Sequence, residues 1–224
     1  MSPRTAPLVT PPATPRAAAR TPLDRRLIKG ILWLYMRPYH RLELVGAEHI
    51  PPHGSLLVVL NHASVLDVPA LMVLDPFPDT ATVVKTEMFH MPFIGWFLQR
   101  WGAIPVDRDG RDSGSIRRML GVLRSGSALA VAAEGTRTRS GHLEDINPVL
   151  ARIAASADVP ILPVGIGGSF DALPPGAFFP RPVKILVRVG PVFRLERGIG
   201  APAAAQRIQD EIARLLPPQM RPLT

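Results

Sequence analysis

Leu56-Leu57-Val58-Val59-Leu60-Asn61-His62-Ala63-Ser64-Val65-Leu66-Asp67 is the stretch on which the fold turns. A short apolar run passes into a polar turn and then into a helical pattern, the signature of a βα unit. The same alternation recurs along the chain. Strands are predicted at residues 41–45, 56–60, 82–85, 103–106, 128–132, 161–165 and 183–189, and helices at 64–74, 92–101, 113–123, 148–157 and 203–216. Strands separated by helices call for an α/β fold: a single domain whose largely parallel mixed sheet is flanked by helices. No internal repeat or interdomain linker interrupts it.

Upstream, Thr21-Pro22 opens a predicted helix over residues 23–36, with proline in the first turn. Leu23, Leu27, Ile31, Leu34 and Tyr35 share a broad face, while Arg25, Arg26 and Lys29 lie mostly off it. Such a basic amphipathic helix fits two settings equally, the domain's own core or a membrane interface. Residues 1–22, rich in Pro, Arg and Ala and without an apolar core, are expected as a disordered arm, neither signal peptide nor span. The expected organisation is this arm, an amphipathic membrane-facing helix over 23–40, a catalytic domain over 41–217 and a tail over 218–224. No stretch approaches the roughly 20 apolar residues that a spanning helix requires.

Composition narrows the chemistry. The 224 residues contain 26 Lys+Arg against 18 Asp+Glu, a net charge of +8, so an anionic partner is expected. An acidic membrane surface, a phosphorylated substrate, an acidic carrier protein and nucleic acid all fit that charge. The absence of Cys excludes disulfides, thiolate metal sites and a cysteine acyl-enzyme.

His62 and Asp67 are the first candidates for chemistry. Five steps along one helix would leave them about 140° apart, so the His must precede the helix. With Ser64 as cap, Asp67 falls at the third helical position, and its side chain leans back toward His62. A carboxylate there holds one imidazole nitrogen and leaves the other free as a base. The same Ser64 to Asp67 spacing is also a capping box, which needs no catalysis. Two further segments follow predicted strands: Gly102-Ala103-Ile104-Pro105-Val106-Asp107-Arg108, and Glu134-Gly135-Thr136-Arg137 with Arg139 close behind. Taken singly, these read as a surface ion pair and a turn. Taken together, they bring cations to the carboxyl ends of parallel strands, where α/β sheets collect ligands. Arginine there suits a phosphate, and Lys85 at another strand end adds a point charge.

These segments resemble the 1-acylglycerol-3-phosphate acyltransferase family of glycerolipid acyltransferases. Four blocks carry the resemblance, in the family's order: Asn61-His62-Ala63-Ser64-Val65-Leu66-Asp67 with the HX4D motif; Gly102 to Arg108, preceded by Lys85-Thr86-Glu87; Glu134-Gly135-Thr136-Arg137; and Val159-Pro160-Ile161-Leu162-Pro163-Val164. Where the family usually has Phe-Pro before the third block, this chain has Ala132-Ala133, which puts the acceptor's identity in question.

The resemblance implies His62 as base, Asp67 as its orienting partner, and Glu134, Gly135, Thr136 and Arg137 at the acceptor site, with Lys85 and Arg108 as further phosphate-binding candidates. It implies acyl transfer from acyl-CoA or acyl carrier protein to a lysophospholipid or glycerol-phosphate acceptor, with no cofactor or metal, at the cytoplasmic face of a membrane. The apolar run Met88, Phe89, Met91, Phe93, Ile94, Trp96, Phe97 and Trp101 fits either a lipid-facing surface or ordinary core.

Three rival readings fit the sequence less well. Gly167-Gly168-Ser169-Phe170-Asp171 half resembles a serine nucleophile elbow but lacks the final Gly. His40, His49, His53, His90 and His142 form no ligand-spaced cluster for a metal hydrolase. A non-catalytic basic module would bind anionic lipid or nucleic acid, but no nucleic-acid motif is present, and no nucleic-acid partner is expected.

Overall fold

A computed structural model describes residues 23–74, 80–101, 103–106 and 113–223. The expected arm over 1–22, and Gly102, Asp107 and Arg108 of the second block, lie outside the described residues. The first elements are α1 (Leu23–Tyr39), β1 (Glu43–Val45), β2 (Leu56–Leu60) and α2 (Asp67–Leu74). They are followed by β3 (Ala81–Lys85), α3 (Thr86–Phe89), α4 (Ile94–Arg100), β4 (Ile104–Val106), α5 (Ser113–Arg124) and β5 (Ala128–Ala132). The last are α6 (Pro148–Ala157), β6 (Ile161–Gly167), α7 (Ser169–Ala172), β7 (Leu186–Val189) and α8 (Ala201–Leu215).

Among the described residues one sheet has seven strands, in the order β1-β7-β6-β2-β5-β3-β4. Its pairings are parallel except β6 with β7, so the fold is the expected α/β domain with a largely parallel mixed sheet. Because β7 runs against β6, and β1 runs with β7, the amino end of β1 lies at the same sheet edge as the carboxyl ends of β2, β6, β5 and β3. Among the described residues, that edge receives His62, Lys85 and Glu134.

Helices cover both faces of the sheet, and alternation along β2 divides its side chains between them. Leu57 and Val59 pack with Met119, Leu123, Leu150, Ile153, Ile208 and Ile212, from α5, α6 and α8. Leu56, Val58 and Leu60 pack with Met36, Leu66, Ala70 and Val73, on the side of α1 and α2. With neighbours on both edges and both faces, every residue of β2 is buried. Local chemistry sets the ends of α6: Asn147 caps it by accepting Val149 N–H at 2.8 Å, Pro148 occupies the first turn, and Asp158 closes it in a left-handed conformation. Beyond α8, Met220 is buried, and its carbonyl accepts Leu143 N–H at 2.7 Å.

Candidate active site

Asn61, immediately after β2, is buried and works as a piece of ladder. Its amide donates to Ile166 O at 3.0 Å and accepts Ile166 N–H at 2.7 Å. The β2–β6 register ends at Leu60 and Val164, so the side chain takes over one step beyond the last paired residues. Asn61 stands in the first block, but its role is not legible in the sequence, because its partner is 105 residues away. An Asn at a strand end directly before a functional side chain is the signal that was available.

His62 follows, with Nδ1 2.9 Å from Asp67 Oδ2. The same oxygen accepts the backbone N–H of Ala63 at 2.8 Å and of Ser64 at 2.9 Å. An ionised Asp67 therefore has Nδ1–H as its donor and leaves Nε2 as an acceptor. The Asp67 side chain is fully buried and opens α2, where the helix N-terminus favours its charge; the His62 side chain is 22% exposed. The regular helix begins at Asp67 rather than Ser64, and Ser64 contributes only a preceding turn, with Asp67 N–H donating to Ser64 O at 3.3 Å. Half of the capping box forms: Asp67 accepts Ser64 N–H, whereas Ser64 Oγ takes Leu66 N–H at 3.3 Å and donates to Leu173 O at 3.0 Å. The cap and the His–Asp pair are thus one structure.

The third block grips His62 by its backbone. Glu134 Oε2 accepts His62 N–H at 2.7 Å, and Thr138 N–H donates to His62 O at 2.9 Å. The other Glu134 oxygen accepts Glu144 N–H at 3.1 Å. Burial pushes the Glu134 carboxyl up to about 7; the two N–H bonds oppose that rise, and the Glu144 and Asp67 carboxylates add to it. Gly135 has φ +76°, and a Cβ there would stand 2.6 Å from Asn147 Nδ2, so the turn requires glycine. Gly135, Thr136 and Arg137 are exposed on this turn, with Arg137 next to the Thr138 that holds His62.

The other predicted residues divide. Lys85 ends β3, beside β5 in the sheet, and is half-buried. Arg108 is outside the described residues. The fourth block lies in and just before β6, where Ile161, Leu162 and Val164 are fully buried, so it is a core strand supporting β2. Ala133 continues the β2–β5 pairing by donating to Leu60 O at 2.8 Å. The elbow candidate Ser169 is fully buried at the start of a four-residue helix, where no substrate carbonyl reaches its hydroxyl.

The apolar run on α3 and α4 is split. Leu98 is buried, whereas Met91, Phe93 and Trp96 are exposed. On α1, Leu32, Tyr35 and Met36 face the core, while Leu27, Ile31, Trp33 and Leu34 face outward. The sequence groups Tyr35 with Leu27, Ile31 and Leu34 on one apolar face; the structure separates it from them, and its hydroxyl meets buried His40 at 3.1 Å.

A mostly parallel α/β sheet thus carries a buried carboxylate against a partly exposed imidazole at its carboxyl edge. Residues 41–167, more than half of the chain, match the Acyltransferase family, and the chain belongs to it. The chloroplastic 1-acyl-sn-glycerol-3-phosphate acyltransferase of Brassica napus is 29% identical over 151 residues, covering 65% of this chain and 43% of that protein. The lyso-ornithine lipid O-acyltransferase of Pseudomonas aeruginosa is 31% identical over 181 residues, covering 80% of this chain and 68% of that protein. The chain thus spans less than half the length of its first plant relatives. The crystal structure of the 1-acyl-sn-glycerophosphate acyltransferase PlsC from Thermotoga maritima shares the fold, with TM-score 0.70 at 22% identity, over 85% of this chain and 78% of that one.

Proposed function

We propose that this protein transfers a fatty acyl group from a thioester, acyl-CoA or acyl carrier protein, to the hydroxyl of a glycerolipid phosphate, with 1-acylglycerol-3-phosphate as acceptor and phosphatidate as product. The observation that carries this reading is the Asp67–His62 pair at 2.9 Å, which engages Nδ1 on a side chain that is 22% exposed. His62 Nε2 takes the acceptor's hydroxyl proton as that oxygen attacks the thioester carbonyl. The carbon–sulfur bond breaks, and the departing thiolate recovers the proton from the imidazolium, whose charge Asp67 balances. Glu134 acts by holding the His62 backbone at the correct height. Arg137 reads the acceptor's phosphate through its two-pronged guanidinium, with Lys85 and Arg108 in support.

Acceptor identity has a second reading. The lyso-ornithine lipid enzyme covers more of this chain, at higher identity, than the Brassica protein does, and Ala132-Ala133 departs from the Phe-Pro of glycerolipid enzymes. Attachment to the membrane is peripheral in this proposal: no described helix is long and apolar enough to cross a bilayer, and Leu27, Ile31 and Leu34 of α1 point away from the core.

The test is a screen with labelled palmitoyl-CoA and lysophosphatidate, glycerol 3-phosphate or lyso-ornithine lipid. The proposal expects fastest transfer to lysophosphatidate; preference for lyso-ornithine lipid selects the second reading, and transfer to none of them rejects both. On the accepted phosphate substrate, Arg137→Lys should raise acceptor KM more than donor KM, because charge remains but the fork is lost. Equal effects on both would assign Arg137 elsewhere.

A further inference from the structure

Between α7 and β7 the chain reads Leu173-Pro174-Pro175-Gly176-Ala177-Phe178-Phe179-Pro180-Arg181-Pro182. Its shape is set locally. Ala177 N–H donates to Pro174 O at 3.1 Å, with Pro175 and Gly176 (φ +83°) at the two central positions, the arrangement of a type II turn. Arg181 N–H donates to Ala172 O at 2.7 Å and closes the neck of a compact loop. At its tip Phe178 is 92% exposed and Phe179 84%. Two adjacent phenylalanines held in water on a proline-stiffened loop are not core residues that failed to pack; the loop has no route to fold them inward while its neck is closed.

Topology says which way they point. The loop leaves the carboxyl end of β6, which runs parallel to β2, so it stands at the same sheet edge as His62. One side of its base is tied to the site by Ser64 Oγ donating to Leu173 O at 3.0 Å. The other side is tied to the end of α1: Tyr39 hydroxyl donates to Pro180 O at 2.9 Å, and Arg41 donates to Pro182 O at 3.2 Å. The outward apolar residues of α1, the Phe pair and the site loop are therefore joined through one short set of bonds. Charge around the loop is cationic, from exposed Arg37, Arg41, Arg181 and Lys184; Asp171 and Glu43 oppose it, and Glu43 is already paired with Lys184 at 2.7 Å.

We propose that Phe178 and Phe179 insert into an anionic lipid surface, forming a second foothold that holds the site edge against the membrane beside α1. Exposed aromatics with cations behind them match the apolar boundary and the acidic head groups of such a surface. The pre-formed turn lowers the ordering cost of insertion. The identity of the surface rests on the lipid-acceptor reading above, but the test does not depend on turnover.

The experiment is sedimentation of the full chain with phosphatidylcholine–phosphatidylglycerol vesicles, comparing wild type, F178A/F179A and Arg181→Ala, with thermal unfolding and gel filtration of each. F178A/F179A should unfold like wild type yet partition about tenfold more weakly, since each ring loses a fraction of its burial free energy. Arg181→Ala should weaken binding modestly, and only at low salt. F178W fluorescence, in a chain whose Trp33, Trp96 and Trp101 are replaced by Phe, should shift to the blue on adding vesicles. Unchanged sedimentation of F178A/F179A overturns the proposal, as does a wild-type dimer that this variant dissociates, because the rings would then face a second copy. Transfer to detergent-dispersed acceptor, measured beside it, separates the two ideas: its absence in wild type rejects the enzymatic reading and leaves the vesicle result to decide this one.

Discussion

The His62 loop and the rim formed by α1 and the Phe178 loop break the usual rule of burial in opposite directions. In the first, charged and amide side chains are taken out of water: Asn61, Asp67 and Glu134 are buried, and their hydrogen bonds reach backbone on β6, on the loop itself and on the segment leading into α6. In the second, large apolar side chains are left in water, with Leu27 and Leu34 at 66% and 70% exposure. Buried polar groups and exposed apolar groups are the informative exceptions in a globular protein. Their difference here is mechanical: the polar loop is fixed from several sides and, in the proposed reaction, acts on a proton, while the rim is anchored at its roots and faces whatever covers it.

The largest effect is expected at the imidazole. His62→Ala should lower the transfer rate roughly 10²- to 10⁴-fold with stability unchanged, because it removes a base whose ring is partly open and a single bond to Asp67. Asp67→Ala should match that loss of rate and also destabilise the fold by about 2–4 kcal/mol, since Ala63 and Ser64 N–H lose their acceptor in a buried setting. Steady-state kinetics beside thermal unfolding separates them. If Asp67→Ala keeps full stability, Asp67 does not hold the Ala63–Ser64 backbone as described; if His62→Ala keeps its rate, this loop is not the catalytic one.

Asn61→Ala comes next and reverses the order of effects. It leaves both polar groups of Ile166 buried without the Asn61 partner, which should cost roughly 2–4 kcal/mol in denaturant unfolding. Activity of the fraction that remains folded should fall less than in His62→Ala. On the rim, serine at Leu27, Ile31 and Leu34 should change stability by only about 0.5 kcal/mol, because Leu32, Tyr35 and Met36 still pack the helix on the core. Sedimentation with anionic vesicles should drop severalfold. Unfolding instead of release would mean that the outer face of α1 is packed.

How much of this was legible in the sequence follows from the range of the interactions. The bounds of β2, β5 and α6 agree with the sequence reading, because continuous apolar runs and an Asn-Pro start are local signals. Helices α3 and α7 went unread, since four residues carry no period to detect. α1 continues past the expected end at Met36 to Tyr39, through Pro38, as tertiary contacts at its end outweigh the breaker. The pairing of His62 with Asp67 was readable because they are five residues apart. Asn61 with Ile166, and His62 with Glu134 across 72 residues, were not. Glu134 illustrates the limit: the motif advertises the residue, but only the folded chain shows that its carboxylate holds backbone.

Effects of pH are expected to be gradual, and they fall on the two regions from opposite ends of the scale. His40 is buried at the root of α1, with Nδ1 3.1 Å from Val183 O and Tyr35 hydroxyl on its other nitrogen, and burial lowers its pKa despite the carbonyl bond. A base with a depressed folded pKa contributes stability that is present above about 6.5 and lost as pH falls through its folded value, so acid should loosen the rim first. Glu134 behaves in the reverse sense. Its folded pKa of about 7 lies above the ordinary 4.5, so its contribution is full below about 4.5 and is lost as pH rises through about 7. Between about pH 6 and pH 8 that loss should be on the order of 1 kcal/mol. Unfolding free energies measured across this range should decline on the alkaline side in wild type and flatten in Glu134→Gln, which cannot titrate. Hydrogen exchange at the α1 root should rise on the acid side in both proteins. A wild-type profile that is flat between these limits would mean that the Glu134 carboxyl meets water, and the tight hold on His62 would have to be given up with it.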